Sequence, residues 1–250
     1  MRNEQGTAIS LESGPRFSSG LAVTRSDVIE AQRLRYRVFA EEMGARLPHS
    51  ELRLDRDRFD PYCDHLLVRD DDAGIVVGTY RMLPAREARK VGGFCADALF
   101  DLGPLARLPA LVEIGRACVH PDYRTGSVLR LLWAGLASYL LGCGFEHAIG
   151  CASIFVGHDR ESAARACRLL LRDHLVAPEW RVDPRTPFAL GEGEAARPSL
   201  LPPLIRGYLH LGAEVCGAPS HDPEFGTADV LIMLSMDRLD QRRARRLLRT

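Results

Sequence analysis

LVEIGRACVHPDYRTGSVLRLLWAGL, residues 111–136, reads as a strand, a turn and a helix in succession. Leu111, Val112, Ile114, Cys118 and Val119 form a short apolar run of the kind that makes a buried strand. His120, Pro121 and Asp122 end it, because proline cannot extend a ladder and favours a turn. Gly126 then opens a helix carrying Val128, Leu129, Leu131, Leu132, Trp133, Leu136, Tyr139 and Leu140. At such a junction the first N–H groups of the helix lack intrahelical partners and point at one spot, which suits an anion or a carbonyl oxygen. Glu113 and Arg116 interrupt the apolar strand just before the turn, and charge in a buried strand needs a reason. Two reasons stay open here: a buried ion pair, or the chemistry of a site.

Composition narrows the setting. The 250 residues hold one large domain or two small ones. Apolar content of 46% and charged content of 26% are those of a soluble globular protein. A net charge of zero removes the global basic footprint of a nucleic-acid binder. Cysteines at 63, 95, 118, 143, 151, 167 and 216 form no CxxC pair and no metal-binding spacing. They read as reduced core thiols of a cytoplasmic protein rather than as disulfides or a zinc site, and no metal is expected. Residues 1–20 are polar and rich in Gly and Ser, so no signal peptide is expected, and no apolar run reaches the roughly 18 residues of a membrane span.

Taken in order, residues 1–20 read as a polar leader and 21–24 as a first strand. Asp27 is the expected N-cap of a helix whose apolar positions run from Val28 to Met43 and which ends near Gly44. Residues 45–64 are irregular and charged, with Asp55, Asp57, Asp60 and Asp64 close together. Strands at 65–69 and 75–83 flank the hairpin signal DDDAG at 70–74. A loop with one short helix near 96–99 leads to the opening unit. Beyond it come a strand at 146–154, a helix at 162–175 and a Pro/Gly-rich stretch at 177–202, with a short strand near 181–183 or 188–190. A helix at 202–212 and an apolar strand at 228–236 complete one α/β (α+β) domain over 21–236, with no internal repeat and no linker. The tail at 237–250 sets six arginines among Leu239, Ala244, Leu247 and Leu248. Residues 238–249 suit an anionic membrane surface or an acidic protein, or form a solvated end.

Several segments together resemble one family. LRYRVFAEEMGA (34–45), DRFDPYCDHLLVRD (57–70), VGTYRMLP (77–84), EIGRACVHPDYRTGSVLRLLWAGLA (113–137), PPLIRGYLHLGAEVCG (202–217) and FGTADVLIMLSM (225–236) are similar to ornithine-acyl carrier protein N-acyltransferases. These belong to the Gcn5-related N-acetyltransferase (GNAT) fold, a mixed central sheet flanked by helices. The resemblance spans about residues 30–236. It implies transfer of a fatty acyl group, with or without a 3-hydroxyl, from acyl carrier protein to the α-amino group of L-ornithine. The product would be lyso-ornithine lipid, the precursor of a phosphorus-free bacterial membrane lipid. No bound cofactor is implied; the donor is acyl-phosphopantetheine on the carrier. Acyl-homoserine lactone synthases share a related skeleton, whose elements here would be Arg35 and Phe39, Asp57 and Asp60, Arg81, then Glu113 and Arg116.

One departure bears on the donor. Acetyl-CoA users of the wider fold carry Q/R-x-x-G-x-G/A, whose small residues admit a pyrophosphate. Here the six residues are Tyr123, Arg124, Thr125, Gly126, Ser127 and Val128. The valine is expected to crowd a pyrophosphate, which points to a phosphopantetheine arm with its single phosphate.

The resemblance also implies roles. An ammonium group must lose a proton before it attacks a carbonyl, and Glu113 is the expected base, directly or through a water, with Arg116 beside it. Three residues apart, the two fall on opposite faces of a regular strand unless a bulge intervenes. Backbone N–H groups at Cys118 and Val119 are expected to hold the tetrahedral oxyanion. Tyr123, or a nearby tyrosine, is a candidate acid for the leaving thiolate, and Arg124, Thr125, Gly126 and Ser127 would line the donor arm. Asp57, Asp60 and Asp64 are expected around the dicationic acceptor, with Arg81 or Arg116 meeting its carboxylate. Arg35 joins this group as the ion-pair partner of a loop aspartate rather than as a substrate contact.

Three other readings compete. His65 and Asp70 match the H-x-x-x-x-D spacing of glycerolipid O-acyltransferases, but Leu66, Leu67, Val68 and Arg69 between them read as core strand. An acyl-homoserine lactone synthase would use the same donor with S-adenosylmethionine; the segments at 202–236 favour the ornithine enzyme. A membrane-associated binding protein without catalysis would leave the charges at 113–116 without a task.

Overall fold

The computed structural model describes residues 16–48, 50–157 and 159–239. The strands are β1 (Phe17–Leu21), β2 (Asp64–Asp70), β3 (Ile75–Pro84), β4 (Phe100–Asp101), β5 (Leu111–Val119), β6 (His147–Phe155), β7 (Asp183–Pro184), β8 (Glu214–Val215), β9 (Ser220–Asp222) and β10 (Thr227–Ser235). The α-helices are α1 (Arg25–Tyr36), α2 (Ala85–Ala88), α3 (Ser127–Gly142), α4 (Arg160–Asp173) and α5 (Pro203–His210). The main sheet runs β1-β2-β3-β5-β6-β10-β8, with β9 also on β10, and β4 pairs with β7 apart from it. Its neighbours are antiparallel except β5 and β6.

Layering follows from the alternation of side chains along each strand. Ala148, Ala152, Val230 and Ile232 point to one face and pack with Leu132 and Leu136 of α3, Leu169 and Leu170 of α4 and Ile205 of α5. Ile149, Leu231 and Met233 point to the other, onto Ala96, Phe100 and Leu105 of the segment between β3 and β5. That second face also carries α1, whose Ala31 and Leu34 pack on Leu67, Val76 and Cys118. β10 is buried at all nine positions, which is why its centre, residues 230–234, is a continuous apolar run.

The feature that positions the site lies between β5 and β6. They pair over only Leu111–His147, Val112–Ala148 and Glu113–Ile149, and then diverge. Gly150 follows the last pair; a Cβ there would lie 2.3 Å from the Ile114 carbonyl oxygen, so the two backbones meet closely before they part. β5 then bulges against β3: Thr79 faces Cys118, but Arg81 faces Gly115. One residue of β3, Tyr80, therefore spans two of β5, and Arg116 takes the extra position with φ +52°. The strand thus bends away from β6 and leaves a gap through the sheet.

Several boundaries differ from the sequence reading. The first strand starts at Phe17, not at 21, so the leader expected over 1–20 ends earlier; residues 1–15 lie outside those described. Thr24, not Asp27, caps α1, and Asp27 is the reciprocal member of its capping box, accepting the Thr24 N–H at 2.8 Å. The expected single helix from 27 to 44 changes at Arg37 into a π-helical turn, Arg37–Glu42. The arginine-rich tail lies outside the described residues from 240 onward. Among the described residues no helix is long and apolar enough to cross a membrane.

Candidate active site

The aspartates after α1 are drawn into an arginine network under the gap. Arg35, wholly buried on α1, places Nε 2.9 Å from Asp55 Oδ2 and donates to both Asp60 oxygens at 2.9 and 3.0 Å. Arg81, on β3, donates to both Asp57 oxygens at 2.8 Å and to Asp60 Oδ1 at 3.1 Å. Arg116 sets Nε 3.2 Å from Asp55 Oδ2 and lies over the Phe225 ring, 4.9 Å from its centroid. Three arginines thus meet three aspartates, and their charges cancel. Gln32 and the Asp57 N–H supply further hydrogen bonds to Asp60. Burial opposes ionisation of Asp60, but Arg35 and Arg81 outweigh it and hold its carboxyl at about 2. His65 is buried beside Asp60; desolvation, then the charge of Arg35, lowers its pKa and favours neutral imidazole. No catalytic histidine–aspartate pair forms here: Asp70 sits at the far end of β2, capping the hairpin through the N–H groups of Asp72 and Ala73.

Glu113 and Arg116 do not pair. The bulge turns Arg116 toward the aspartates, while Glu113 Oε2 and Oε1 accept the Cys95 and Ala96 N–H groups at 2.7 and 2.9 Å. Glu113 therefore caps the short 3-10 helix Cys95–Ala98. It is 6% exposed, and burial raises its carboxyl pKa against the pull of the Cys95 N–H and the charge of Arg81. Asp64, expected with Asp57 and Asp60, stands apart. The turn Asp60–Tyr62 separates them, and Asp64 instead accepts the Tyr139 hydroxyl at 2.6 Å in a cleft with Arg86 and Arg89.

The turn into α3 also revises the donor residues. Gly126 has φ +92°, a conformation that glycine adopts without strain, and no side chain caps the helix. The first N–H groups of α3 are thus left for an incoming anion. Thr125 and Ser127 join hydroxyls at 2.9 Å, and Arg124 forms a bidentate pair with Glu42 at 2.7 Å. Tyr123 is an unsuitable acid for a thiolate: its hydroxyl donates to Asp70 at 2.9 Å and its ring packs edge-on against Phe17 and His120. Val128 points into the core; its Cγ1 would sit 2.7 Å from a Cβ placed on Gly78 of β3. Its side chain therefore cannot crowd a pyrophosphate, and the argument from Val128 against a CoA donor fails. Of the two expected oxyanion donors one remains. The His120 N–H bonds Val77 at 2.8 Å, so by antiparallel alternation the Cys118 N–H also faces β3 and the Val119 N–H faces the gap.

A further carboxylate lies on the same sheet face as Glu113, one strand beyond β6. Asp229, on β10, is 2% exposed and sits opposite Ser153 on the diverging half of β6. It accepts the hydroxyls of Ser153 and of Thr227, the latter at 2.7 Å. Burial raises its pKa. The signal for it was present in ADVLIMLSM: a charge inside an apolar strand, as at Glu113. On the opposite face, Ile114, Trp133, Leu136, Leu140, Tyr208 and Leu234 line an apolar crevice of about 30 Å³.

Comparison with known proteins gives these features a context. The acetyltransferase (GNAT) domain family matches residues 34–134. An L-ornithine N(alpha)-acyltransferase of Rhizobium meliloti (strain 1021) is 39% identical over 240 residues, covering 89% of this chain and 81% of the relative. One from Rhodobacter capsulatus is 36% identical over 236 residues, covering 89% and 91%. Among solved structures, a CoA-dependent acyl-homoserine lactone synthase, BjaI, with SAM and isopentyl-CoA superposes with TM-score 0.54 at 15% identity, covering 94% of this chain and 88% of that one. FeeM, an N-acyl amino acid synthase from uncultured soil microbes, gives 0.51 at 13% identity, covering 89% and 92%. At those identities the structural likeness speaks for the fold.

Proposed function

The chain belongs to the L-ornithine N(alpha)-acyltransferase family, N-acyltransferases built on the GNAT fold, and from that premise we propose that it moves a fatty acyl group from a thioester to the α-amino group of L-ornithine. The product is lyso-ornithine lipid, in the first step of ornithine lipid synthesis. The observation that carries this reading is the gap opened between β5 and β6 beyond Glu113, bounded by the bulge at Arg116. A thioester threaded into that gap lies between a buried carboxylate and an unpaired strand N–H.

Glu113 takes the proton of the α-ammonium group through a water. Burial raises its pKa and makes it a stronger base than an ordinary carboxylate, and its oxygens keep lone pairs beyond the two N–H bonds. The free amine attacks the carbonyl carbon, and the Val119 N–H stabilises the oxyanion. Collapse breaks the C–S bond and expels a pantetheine thiolate, which can leave as an anion because a thiol pKa lies near 8.5, about that of cysteine; the proton shed by the new amide nitrogen passes to that sulfur or to solvent. The paired Arg35, Arg81, Asp55, Asp57 and Asp60 hold the floor of the site in place, and Arg116, 26% exposed in its side chain, is the arginine within reach of the acceptor carboxylate. The acyl chain enters the apolar crevice behind the gap. At about 30 Å³ the crevice must widen, and Leu141 at its mouth is 52% exposed.

Acyl carrier protein is the proposed donor. Arg37, Arg124 and Arg130 are exposed around the turn into α3, a basic rim suited to an acidic carrier, and the uncapped α3 N-terminus suits its single phosphate. The arginines at 238–249 are proposed to hold the enzyme to an anionic membrane, where its product belongs. The test is thiol release from acyl carrier protein and from acyl-CoA, each with and without L-ornithine. Ornithine-dependent release from the carrier, with N-acylornithine formed, supports the reading. Release from CoA alone would move the donor to CoA.

A further inference from the structure

We propose that Asp229 receives the side-chain ammonium of the amino-acid acceptor and thereby selects a dibasic amino acid; the proposal rests on the acyl-transfer reading above. Among the described residues the buried carboxylates are Asp55, Asp60, Asp70, Glu113 and Asp229. Asp55 and Asp60 lie against arginines, and Asp70 and Glu113 accept backbone N–H groups. Asp229 has neither. Its side-chain partners are the hydroxyls of Ser153 and Thr227, and Arg116 acts on it only at longer range. Two hydroxyls satisfy part of a carboxylate's acceptor capacity but do not neutralise it, so the group lacks a buried counter-ion.

Its position fits a substrate cation. Ser153, directly over it, is exposed on the half of β6 that has parted from β5. Cys151 lies between Asp229 and Glu113 on this face, within the field of both. Glu113 pairs with Ile149, and Asp229 pairs with Ser153. Those two β6 positions are four residues apart, about 13 Å along a strand, and Glu113 and Asp229 stand one strand spacing of about 4.8 Å to either side of β6, so their Cα atoms are roughly 16 Å apart. An extended ornithine holds its two nitrogens about 6 Å apart. Hydrogen bonds of about 2.8 Å at each end, with one water at Glu113, bring this to about 14 Å, and the lengths of the two side chains cover the rest. The α-amine then sits at the gap and the side-chain ammonium at Asp229.

The test compares L-ornithine with L-norvaline, which has the same carbon chain without the terminal nitrogen. The wild type is expected to favour ornithine by about 100-fold in kcat/KM, and Asp229→Asn to bring that ratio near unity through the KM for ornithine. The KM for the acyl donor should not change. Asp229→Glu advances the charge by one methylene and should shift preference toward 2,4-diaminobutyrate; it serves if the asparagine variant does not fold. A folded Asp229→Asn enzyme with the wild-type ratio, or an Asp229→Glu enzyme with unchanged length preference, overturns the proposal. So does a wild type that acylates both amino acids equally. If the wild type acylates neither, the acyl-transfer reading itself is at fault.

Discussion

Two groups of charges lie on the same face of the sheet and are held in opposite ways. Asp55, Asp57 and Asp60 meet Arg35, Arg81 and Arg116, so that cluster is neutral before any substrate arrives. Asp229 is as deeply buried and is held by hydroxyls. The first arrangement lowers a carboxyl pKa, as at Asp60, and the second raises one. A neutral cluster has little left to offer a dication and serves to fix the elements around the site. A carboxylate without a counter-ion costs stability until a cation reaches it.

The largest expected effect falls between the two groups. Glu113→Gln should lower acyl transfer by about 10²–10⁴-fold at neutral pH if Glu113 is the base. The amide can accept only one of the two N–H bonds, so the melting temperature should also fall, by about 1–3 kcal/mol in stability. Full activity in a folded Glu113→Gln enzyme removes Glu113 from the chemistry.

How much of this was legible in the sequence depends on the residue. Pro121 and Gly126 announce a strand, turn and helix because each acts through its own backbone. Glu113 and Arg116 stand out in the sequence as charges out of place, and a bulge is what sets them on one face; that each then takes different partners is not legible, because Arg116 holds a left-handed bulge position with no glycine to signal it. Asp60 and Asp64 look equivalent until a 3-10 turn sends them to different ends of the fold. Val128 faces the core and not the ligand. Its spacing with Leu132, Leu136 and Leu140 places it on the buried stripe of α3, so the helical period already held the correction. Asp229 is hard to see in the sequence because the apolar run that follows it makes the whole strand read as core.

The next effect tests the neutral cluster alone. Arg35→Ala should cost about 3–5 kcal/mol, because it leaves Asp55 and Asp60 buried with too little positive charge. For a chain of this size that lowers the melting temperature by about 10 °C. An unchanged melting temperature would show that the network contributes nothing to the fold. By contrast Arg124→Ala should stay within about 1 kcal/mol, since its pair with Glu42 is exposed.

Acid sharpens the comparison because the two carboxylates respond with opposite sign. The Asp60 pKa is lowered in the folded state, so its contribution is full above the ordinary value of 3.8 and is lost as the pH falls from there to about 2. That contribution is about 2 kcal/mol, read as a falling denaturant midpoint over that window. The Asp229 pKa is raised, so its ionised form penalises the fold above the folded pKa, and the penalty disappears below 3.8. Asp222 adds to that penalty, and Ser153, Thr227 and Arg116 reduce it. Asp60→Asn should therefore destabilise at pH 7 and matter little at pH 2, whereas Asp229→Asn should stabilise at pH 7 and matter little below 3.8.

The most direct test of this contrast is the melting temperature of the wild type and of Asp229→Asn at pH 7, with and without L-ornithine. The account predicts that the variant melts a few degrees higher without ornithine, and that ornithine raises the wild type but not the variant. A variant that melts lower and gains as much from ornithine as the wild type would contradict it.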